Sequence, residues 1–308
     1  MLNEKVDRTK FKKVEENLAK FHRNELIQTV EIDSEIDLMF ELPGIPLSQG
    51  SQRMFTKIIR SMRPKPYRES TFVNLDRIRC SVEEVCGYTP SDAVIWGSIR
   101  SSMIQRHSQE FLWKCIHNTF RVGDFWSHMD TLKINGRCHV CNVTESLEHI
   151  ALECYSPEQK IIWSLTSQLW SRKYSSWPTL NWGLILGCNL VRFKTANVVR
   201  PEKGRLFAVL VSVGWYCIWN LRVNRVITNP DATLTVANIH NHWLKSVNSA
   251  SRRDRILTDK VKFGPLALRK QIVLNTWSGL LMDEDSLLDD WTLTEGVLVG
   301  MWPMNGIG

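Results

Sequence analysis

A cluster of cysteine and histidine residues constrains this chain more than any other feature of its sequence. Cys138, Cys141, His149 and Cys154 follow the spacing C-x2-C-x7-H-x4-C and include three of the chain's eight cysteines. A CxxC turn presents two thiolates to one ion, and a histidine and a cysteine close by in the chain can complete a tetrahedron. The spacing therefore predicts one Zn²⁺ per chain. Because four protein ligands leave no position open for water or substrate, we expect the zinc to be structural.

Other interpretations of the cysteine cluster stay open from the sequence. The four residues could be unrelated and bind nothing, although this spacing is a specific one. A CxxC pair can also have a redox role, but that role needs a βαβ context, which the surrounding sequence lacks. His139 lies between the first two cysteines. It could compete as a ligand, but a side chain at that point of the turn normally points away from the ion.

The bulk properties predict a globular protein of a reducing compartment. The 308 residues include 39 Lys and Arg against 32 Asp and Glu, and the resulting net charge of +7 would suit a polyanionic partner without requiring one. Sparse cysteines that cluster in one place are typical of a metal site, so we expect a nuclear or cytoplasmic location. The N-terminal sequence lacks the apolar stretch of a signal peptide.

The most apolar run, residues 206–221, predicts a buried helix. Its sixteen residues are fewer than the roughly 20 that cross a bilayer as a helix. We therefore expect no membrane partner.

The hydrophobic pattern predicts a mainly α-helical fold in which a small CCHC zinc loop lies between helices. Residues 10–27 could form a weak amphipathic helix, and residues 30–42 alternate as a strand does. Helices are expected within 74–126, from Ser156 and Pro157 to about 170, and at 204–227, 231–257 and 265–281. A helix should also start at Thr89-Pro90-Ser91-Asp92, whose hydroxyls and carboxylate can accept backbone N–H groups.

These patterns divide the chain into five regions. They are a partly disordered N-terminal tail or linker (1–52), a basic linker with short helices (53–90), the domain with the cysteine cluster (91–172), a C-terminal helical region (173–281) and an acidic tail (282–308).

Basic residues outside the cysteine loop are the candidates for phosphate contact, which needs only positive charge and reach. Segments 192–205 and 252–255 also carry arginines, and each basic group could instead be ordinary solvated surface. Glu145, Glu148 and Glu153 stand beside the predicted ligands and would repel phosphate, so we expect nucleic acid to bind outside the loop. The main candidates are Arg53, Lys57, Arg60, Arg63, Lys65 and Arg68.

The chain contains 13 tryptophans, which could in principle stack on nucleic-acid bases. Trp113, Trp163, Trp215 and Trp219 fall on apolar faces of predicted helices. We therefore expect these four to belong to the core.

Several segments around the predicted ligands share motifs with one family. FLWKCIHNTFRVGDFW (111–126), CHVC, ESLEHIALEC (145–154) and IIWSLTSQLW (161–170) supply a tryptophan-bearing helix, the ligands and a second tryptophan-bearing helix. Together they resemble the zinc-binding domain at the C-terminal end of reverse transcriptase polyproteins of non-LTR retrotransposons. SDAVIWGSIR (91–100) and IWNLRVNRVI (218–227) resemble flanking helices of similar fungal proteins. The resemblance implies a retrotransposon-derived chain with a structural zinc.

The catalytic motifs of the enzymes in such polyproteins are missing. A reverse transcriptase needs a Y-x-D-D hairpin, and Asp289-Asp290 lies in an acidic stretch without flanking strands. A ribonuclease H needs four convergent carboxylates that hold two Mg²⁺ ions. We expect neither activity, and no small-molecule substrate. Three hypotheses follow: binding of RNA or single-stranded DNA, a zinc-stabilised protein-interaction module, or a functionless relic of a transposon.

Overall fold

The computed structural model of the chain describes residues 51–62, 68–195, 198–229 and 234–300. The chain forms two units, residues 1–67 and residues 68–308. The first contributes one described helix, α1 (Gln52–Met62). The helix predicted at 10–27 and the strand predicted at 30–42 lie outside the described residues. The divisions expected at residues 90, 172 and 281 all fall within the second unit.

The second unit is built mainly from helices, which confirms the predicted fold class. Short 3₁₀ and π turns connect them, and the strands β1 (Lys194–Thr195) and β2 (Val198–Val199) form one antiparallel pair. The helices are α2 (Glu69–Cys86), α3 (Asp92–Ile99), α4 (Arg106–Ile116), α5 (Pro157–Ser171), α6 (Trp182–Leu186), α7 (Pro201–Val223), α8 (Val236–Ile256), α9 (Lys260–Phe263) and α10 (Lys270–Trp277).

Helix α7 is the centre of the second unit. Every residue from Gly204 to Trp215 is buried, and the helix packs against α4, α5, α8 and α10. The prediction of a buried helix at 206–221 is therefore confirmed. A helix that is apolar on all sides is stable only where other elements surround it. By length and composition the helical stretch Pro201–Thr228 could also cross a membrane, but 78% of its most apolar window is buried inside the structure.

Helices α5 and α7 approach each other closely at Gly214. A Cβ atom at this position would lie 2.9 Å from Cζ3 of Trp163 and 3.3 Å from Oγ1 of Thr166. Glycine is needed here for the close approach of the two helices. It leaves room for the Trp163 ring, whose Nε1 donates a hydrogen bond to the carbonyl of Ala151 at 2.7 Å.

The tryptophans divide between core and surface. Trp215 is fully buried, and Trp163 and Trp219 are partly buried against the core, as predicted. The prediction is wrong for Trp113, which is 46% exposed. Helix α4 packs on the core through Phe111, and a residue two positions later points about 200° away around the helix.

Two predicted helix starts are confirmed. Helix α3 begins at Asp92 after Ser91, and α5 begins at Pro157 after Ser156. Neither serine hydroxyl caps its helix, but an acidic residue stands in the first turn of each, where it complements the helix dipole. Pro157 also removes one backbone N–H that would otherwise lack a partner.

A buried ion pair joins α7 to α8. Nη2 of Arg205 lies 2.5 Å from Oδ1 of Asp254, and the two side chains are 2% and 1% exposed. Oδ2 of Asp254 accepts a hydrogen bond from Nε1 of Trp277 on α10 at 3.0 Å. Arg205 belongs to the segment 192–205 proposed above for phosphate contact. Because its guanidinium is buried and paired, that prediction is wrong for this residue.

Replacing Asp254 by asparagine should destabilise the protein strongly, since Arg205 would become a buried charge without a counterion. We expect Asp254→Asn to lower the free energy of unfolding by about 3–5 kcal/mol, measured by urea denaturation. Asp285→Asn, which changes an exposed carboxylate, is the matched control and should stay within about 0.5 kcal/mol of wild type. Equal stability of the two variants would contradict the assignment.

Candidate metal centre

The four predicted metal ligands meet at one point of the second unit. The ligand atoms of Cys138, Cys141, His149 and Cys154 all lie within 4.8 Å of one another, and three of these residues are buried while Cys141 is partly buried. Along the chain they follow α4 and precede α5. His139 is exposed and is not part of the cluster.

A tight turn presents the first two cysteines. The N–H of Cys138 donates to the carbonyl of Val143 at 2.9 Å, and the N–H of Asn142 donates to the carbonyl of Cys138 at 2.8 Å. Asn142 has φ +54°, a left-handed conformation that asparagine tolerates better than most residues. Backbone hydrogen bonds therefore fix the shape of the turn that carries Cys138 and Cys141.

The other two ligands stand at the ends of a single wide turn, His149–Glu153, which is a π-helical turn. The N–H of Cys154 donates to the carbonyl of His149 at 2.8 Å, five residues back. The N–H of His149 is itself held by Oγ of Ser146 at 2.9 Å. The turn therefore sets the spacing between the imidazole and the third thiol.

The separations of the sulfur atoms fit a tetrahedral ion. Sγ of Cys154 lies 3.6 Å from Sγ of Cys138 and 3.8 Å from Sγ of Cys141. Thiolates bound at about 2.3 Å to one tetrahedral ion are about 3.8 Å apart. A disulfide would need about 2.05 Å, and all three cysteines are free.

The imidazole of His149 is oriented as a metal ligand would be. Its Nε2 is buried and has no hydrogen-bond partner in the described part of the chain, although buried polar atoms normally have one. Its Nδ1 lies 3.6 Å from Oε2 of Glu153. A metal-bound histidine commonly directs its second nitrogen at a carboxylate in this way. The donor set is therefore compatible with one metal ion.

Burial opposes ionisation of the thiols while no metal ion is bound. Burial, together with the neighbouring Cys138 thiol, raises the pKa of Cys154 to about 12, against hydrogen bonds from Ser156 that lower it. The N–H of Tyr155 donates to Sγ of Cys141 at 3.3 Å. A thiol with so high a pKa ionises at neutral pH only beside a strong positive charge, which a bound metal ion provides.

Two ion pairs tie the ligand segment to α7 and the π turn that follows it (Asn224–Thr228). Arg222 forms a bidentate contact with Glu145, and the two side chains are 7% and 4% exposed. Nε of Arg225 lies 2.8 Å from Oε1 of Glu158, whose side chain is 1% exposed. The two arginines are those of the IWNLRVNRVI segment. That motif therefore has a structural role: it anchors the chain before His149 and after Cys154.

The expectation that Glu145, Glu148 and Glu153 repel phosphate needs correction. Glu145 is buried against Arg222, and Oε2 of Glu148 lies 2.6 Å from Nη1 of Arg77. Arginines neutralise two of the three carboxylates. The third, Glu153, lies beside the His149 ring and forms no ion pair with an arginine of the described residues.

Helix α5 holds the turn His149–Glu153 through hydrogen bonds that the sequence did not predict. Nε2 of Gln159 donates to the carbonyls of Ala151 and Leu152 at 3.2 and 3.1 Å, and Trp163 donates to the same Ala151 carbonyl. The sequence carries a signal for the arginine anchors, because residues three apart on a helix share a face. It carries none for Gln159, whose partners are backbone carbonyls.

The predicted phosphate-binding residues differ in their exposure and in their contacts. Arg53, Lys57 and Arg60 are exposed on α1, and their spacing of four and three residues puts them on one face of the helix. Arg63 and Lys65 lie outside the described residues. In the second unit, Nη1 of the exposed Arg68 donates to the carbonyl of His117 at 3.2 Å. In the segment 252–255, Arg253 contacts the buried Asp254 and the carbonyl of Ser102.

No protein family model, curated protein or solved structure matches this chain. The likeness to the zinc-binding domain of non-LTR retrotransposons therefore stays a prediction from the motifs.

Removing the carboxylate of Glu153 should weaken metal binding, because it leaves Nδ1 of His149 without the group that orients the ring. We expect Glu153→Ala to lower the affinity for Zn²⁺ by about tenfold, measured by competition with a chromophoric chelator. Glu148→Ala is the control, since Glu148 contacts Arg77 and no ligand. An unchanged affinity for Glu153→Ala would show that the carboxylate does not position the ligand.

Proposed function

We propose that this chain is a non-catalytic protein that binds RNA or single-stranded DNA and is stabilised by one structural Zn²⁺ at Cys138, Cys141, His149 and Cys154. The observation that carries nucleic-acid binding is the exposed basic face of α1. The motifs shared with retrotransposon polyproteins, which act on RNA and DNA, support the same proposal and suggest the chain's ancestry.

The donor chemistry favours zinc over other common ions. Three thiolates and one imidazole are a ligand set of structural zinc sites, whereas Mg²⁺ and Ca²⁺ prefer oxygen. The four ligands come from two turns and would surround the ion, which leaves no position for a substrate or a reactive water. The role of the metal is then to add its binding free energy to the stability of the fold.

The basic face of α1 supplies the means of contact with phosphates. Arg53, Lys57 and Arg60 are exposed, and they form no ion pair within the described ranges. Each phosphate that such a group neutralises releases a counterion, so binding through this face would be strong at low salt and weak at high salt. Phosphate contacts carry no sequence information by themselves. We therefore propose binding without base specificity.

A protein-interaction module is the second candidate, and exposed apolar side chains near the cysteine turn favour it. Ile134 and Tyr155 are each 70% exposed, and Val140 and Val143 are nearly half exposed. Clustered apolar side chains on a surface commonly mark contact with another protein. Absence of nucleic-acid binding together with one bound zinc would favour this alternative.

The purified protein should contain one zinc per chain, measured by inductively coupled plasma mass spectrometry. The double variant Cys138→Ser/Cys141→Ser should contain none and should unfold at lower temperature, because metal binding contributes to folding. Cys80→Ser, which alters an exposed cysteine outside the cluster, should keep the metal. A metal-free protein that is fully folded would overturn the assignment of the site.

The triple variant Arg53→Gln/Lys57→Gln/Arg60→Gln should bind single-stranded RNA and DNA more weakly than wild type. Fluorescence anisotropy titrations over a range of salt should show the slope of log affinity against log salt reduced by about 2, since roughly 0.7 is lost for each phosphate contact. Arg100→Gln/Arg106→Gln/Lys245→Gln removes the same charge from other exposed positions and should change the slope little. Failure of the wild-type protein to bind any nucleic acid at low salt would eliminate the proposed function.

A further inference from the structure

A basic cleft lies in the second unit where the end of α8 meets α9 and the start of α10. Its volume is about 1140 Å³, larger than most pockets for small molecules. Five of its lining side chains are basic and one is acidic. These are Arg255, Lys260, Lys262, Arg269 and Lys270, with Asp259 as the acid.

Three of the five basic side chains are available to a ligand. Lys270 lies 2.5 Å from Asp290, and Arg255 lies 3.8 Å from the exposed Glu295. In contrast, Lys260, Lys262 and Arg269 are exposed, and none of them forms an ion pair with another described residue. No described carboxylate pairs with these three side chains, although Nζ of Lys262 lies 5.6 Å from the centroid of the Phe263 ring.

Two further carboxylates of this region form hydrogen bonds or an ion pair within the protein. Oδ1 of Asp259 accepts hydrogen bonds from the backbone N–H groups of Val261 and Lys262 at 2.9 and 3.1 Å. Asp254, one turn earlier on α8, is 1% exposed and paired with Arg205. Asp259 nevertheless lines the cleft and keeps its charge. The three unpaired basic side chains outnumber this carboxylate, so the cleft has a net positive charge that attracts polyanions.

The lining chemistry indicates which polyanion fits. The neutral polar side chains of the lining are engaged within the protein: Thr258 donates to the carbonyl of Arg255, Thr292 to Asp290 and Gln271 to Asn275. The basic side chains are therefore the groups left to contact a ligand, and they suit phosphate. No aromatic side chain of the described chain lines the cleft, so bases have no platform on which to stack. A strand would be held by its backbone alone.

We propose that this cleft binds the phosphodiester backbone of single-stranded RNA or DNA, without preference for particular bases. The inference rests on the proposed function, and it adds a binding surface in the second unit to the basic face of α1. Each phosphate that the cleft contacts would add to the dependence of binding on salt.

The test uses the full-length, zinc-loaded chain with Lys260→Gln/Lys262→Gln/Arg269→Gln, and the matched control is Arg100→Gln/Arg106→Gln/Lys245→Gln. Binding of fluorescein-labelled oligouridylate and oligothymidylate of equal length is followed by anisotropy from low to moderate salt. We expect the cleft variant to bind both probes about tenfold more weakly at low salt, with a salt slope lower by about 2. The control should match wild type, and circular dichroism should show equal thermal unfolding for all three proteins.

Three results would overturn the inference. If the cleft variant binds like wild type while the α1 variant is weakened, the cleft is not a nucleic-acid surface and the proposed function stands. If wild type binds neither probe at low salt, the proposed function and the cleft inference both fail. If the cleft variant keeps its affinity for the oligonucleotides but loses binding to phosphatidylserine vesicles, the cleft binds lipid headgroups. The apolar side chains of Val261 and Leu266 are 99% and 84% exposed, so the measurement with vesicles is a necessary control.

Discussion

The burial of α7 is the constraint on which the rest of the second unit depends. A helix whose residues are apolar on every face must be surrounded, and α4, α5, α8 and α10 do so. Two charged side chains are buried with it, Arg205 near its start and Arg222 near its end, and each has a carboxylate partner from another element. Because an unpaired charge is costly inside a protein, these pairs fix the position of α8 at one end of α7 and of the ligand segment at the other.

The metal centre follows from this arrangement. Arg222 and Arg225 hold Glu145 and Glu158, which stand before and after the ligands His149 and Cys154. Gln159 and Trp163 hold the carbonyls of the wide turn between those two ligands. The cluster is therefore positioned by packing as well as by any bound ion. A metal ion would complete it by satisfying Nε2 of His149, which has no other partner in the described chain, and by stabilising the thiolates.

The cysteine cluster and the basic surfaces differ in charge and in the role that we propose for them. The carboxylates and arginines near the cluster neutralise one another, so this part of the molecule is suited to holding structure together. Uncompensated positive charge lies instead on α1 and in the cleft beside α9. In the proposed function, the metal stabilises the scaffold and the lysines and arginines elsewhere contact phosphate.

The sequence by itself determined the cysteine and histidine cluster, the mainly helical fold, the buried helix and the starts of α3 and α5, because each depends on local spacing or periodicity. It could not determine the partners of charged residues. Arg205 and Trp113 show why: helical periodicity puts a residue on a face, but only packing decides which face another element covers, so Arg205 is buried and Trp113 is exposed. The same holds for the basic cleft, whose side chains come from the end of α8, from α9, from the start of α10 and from a later turn. Residues 255 and 293, which both line it, are brought together only by the tertiary fold.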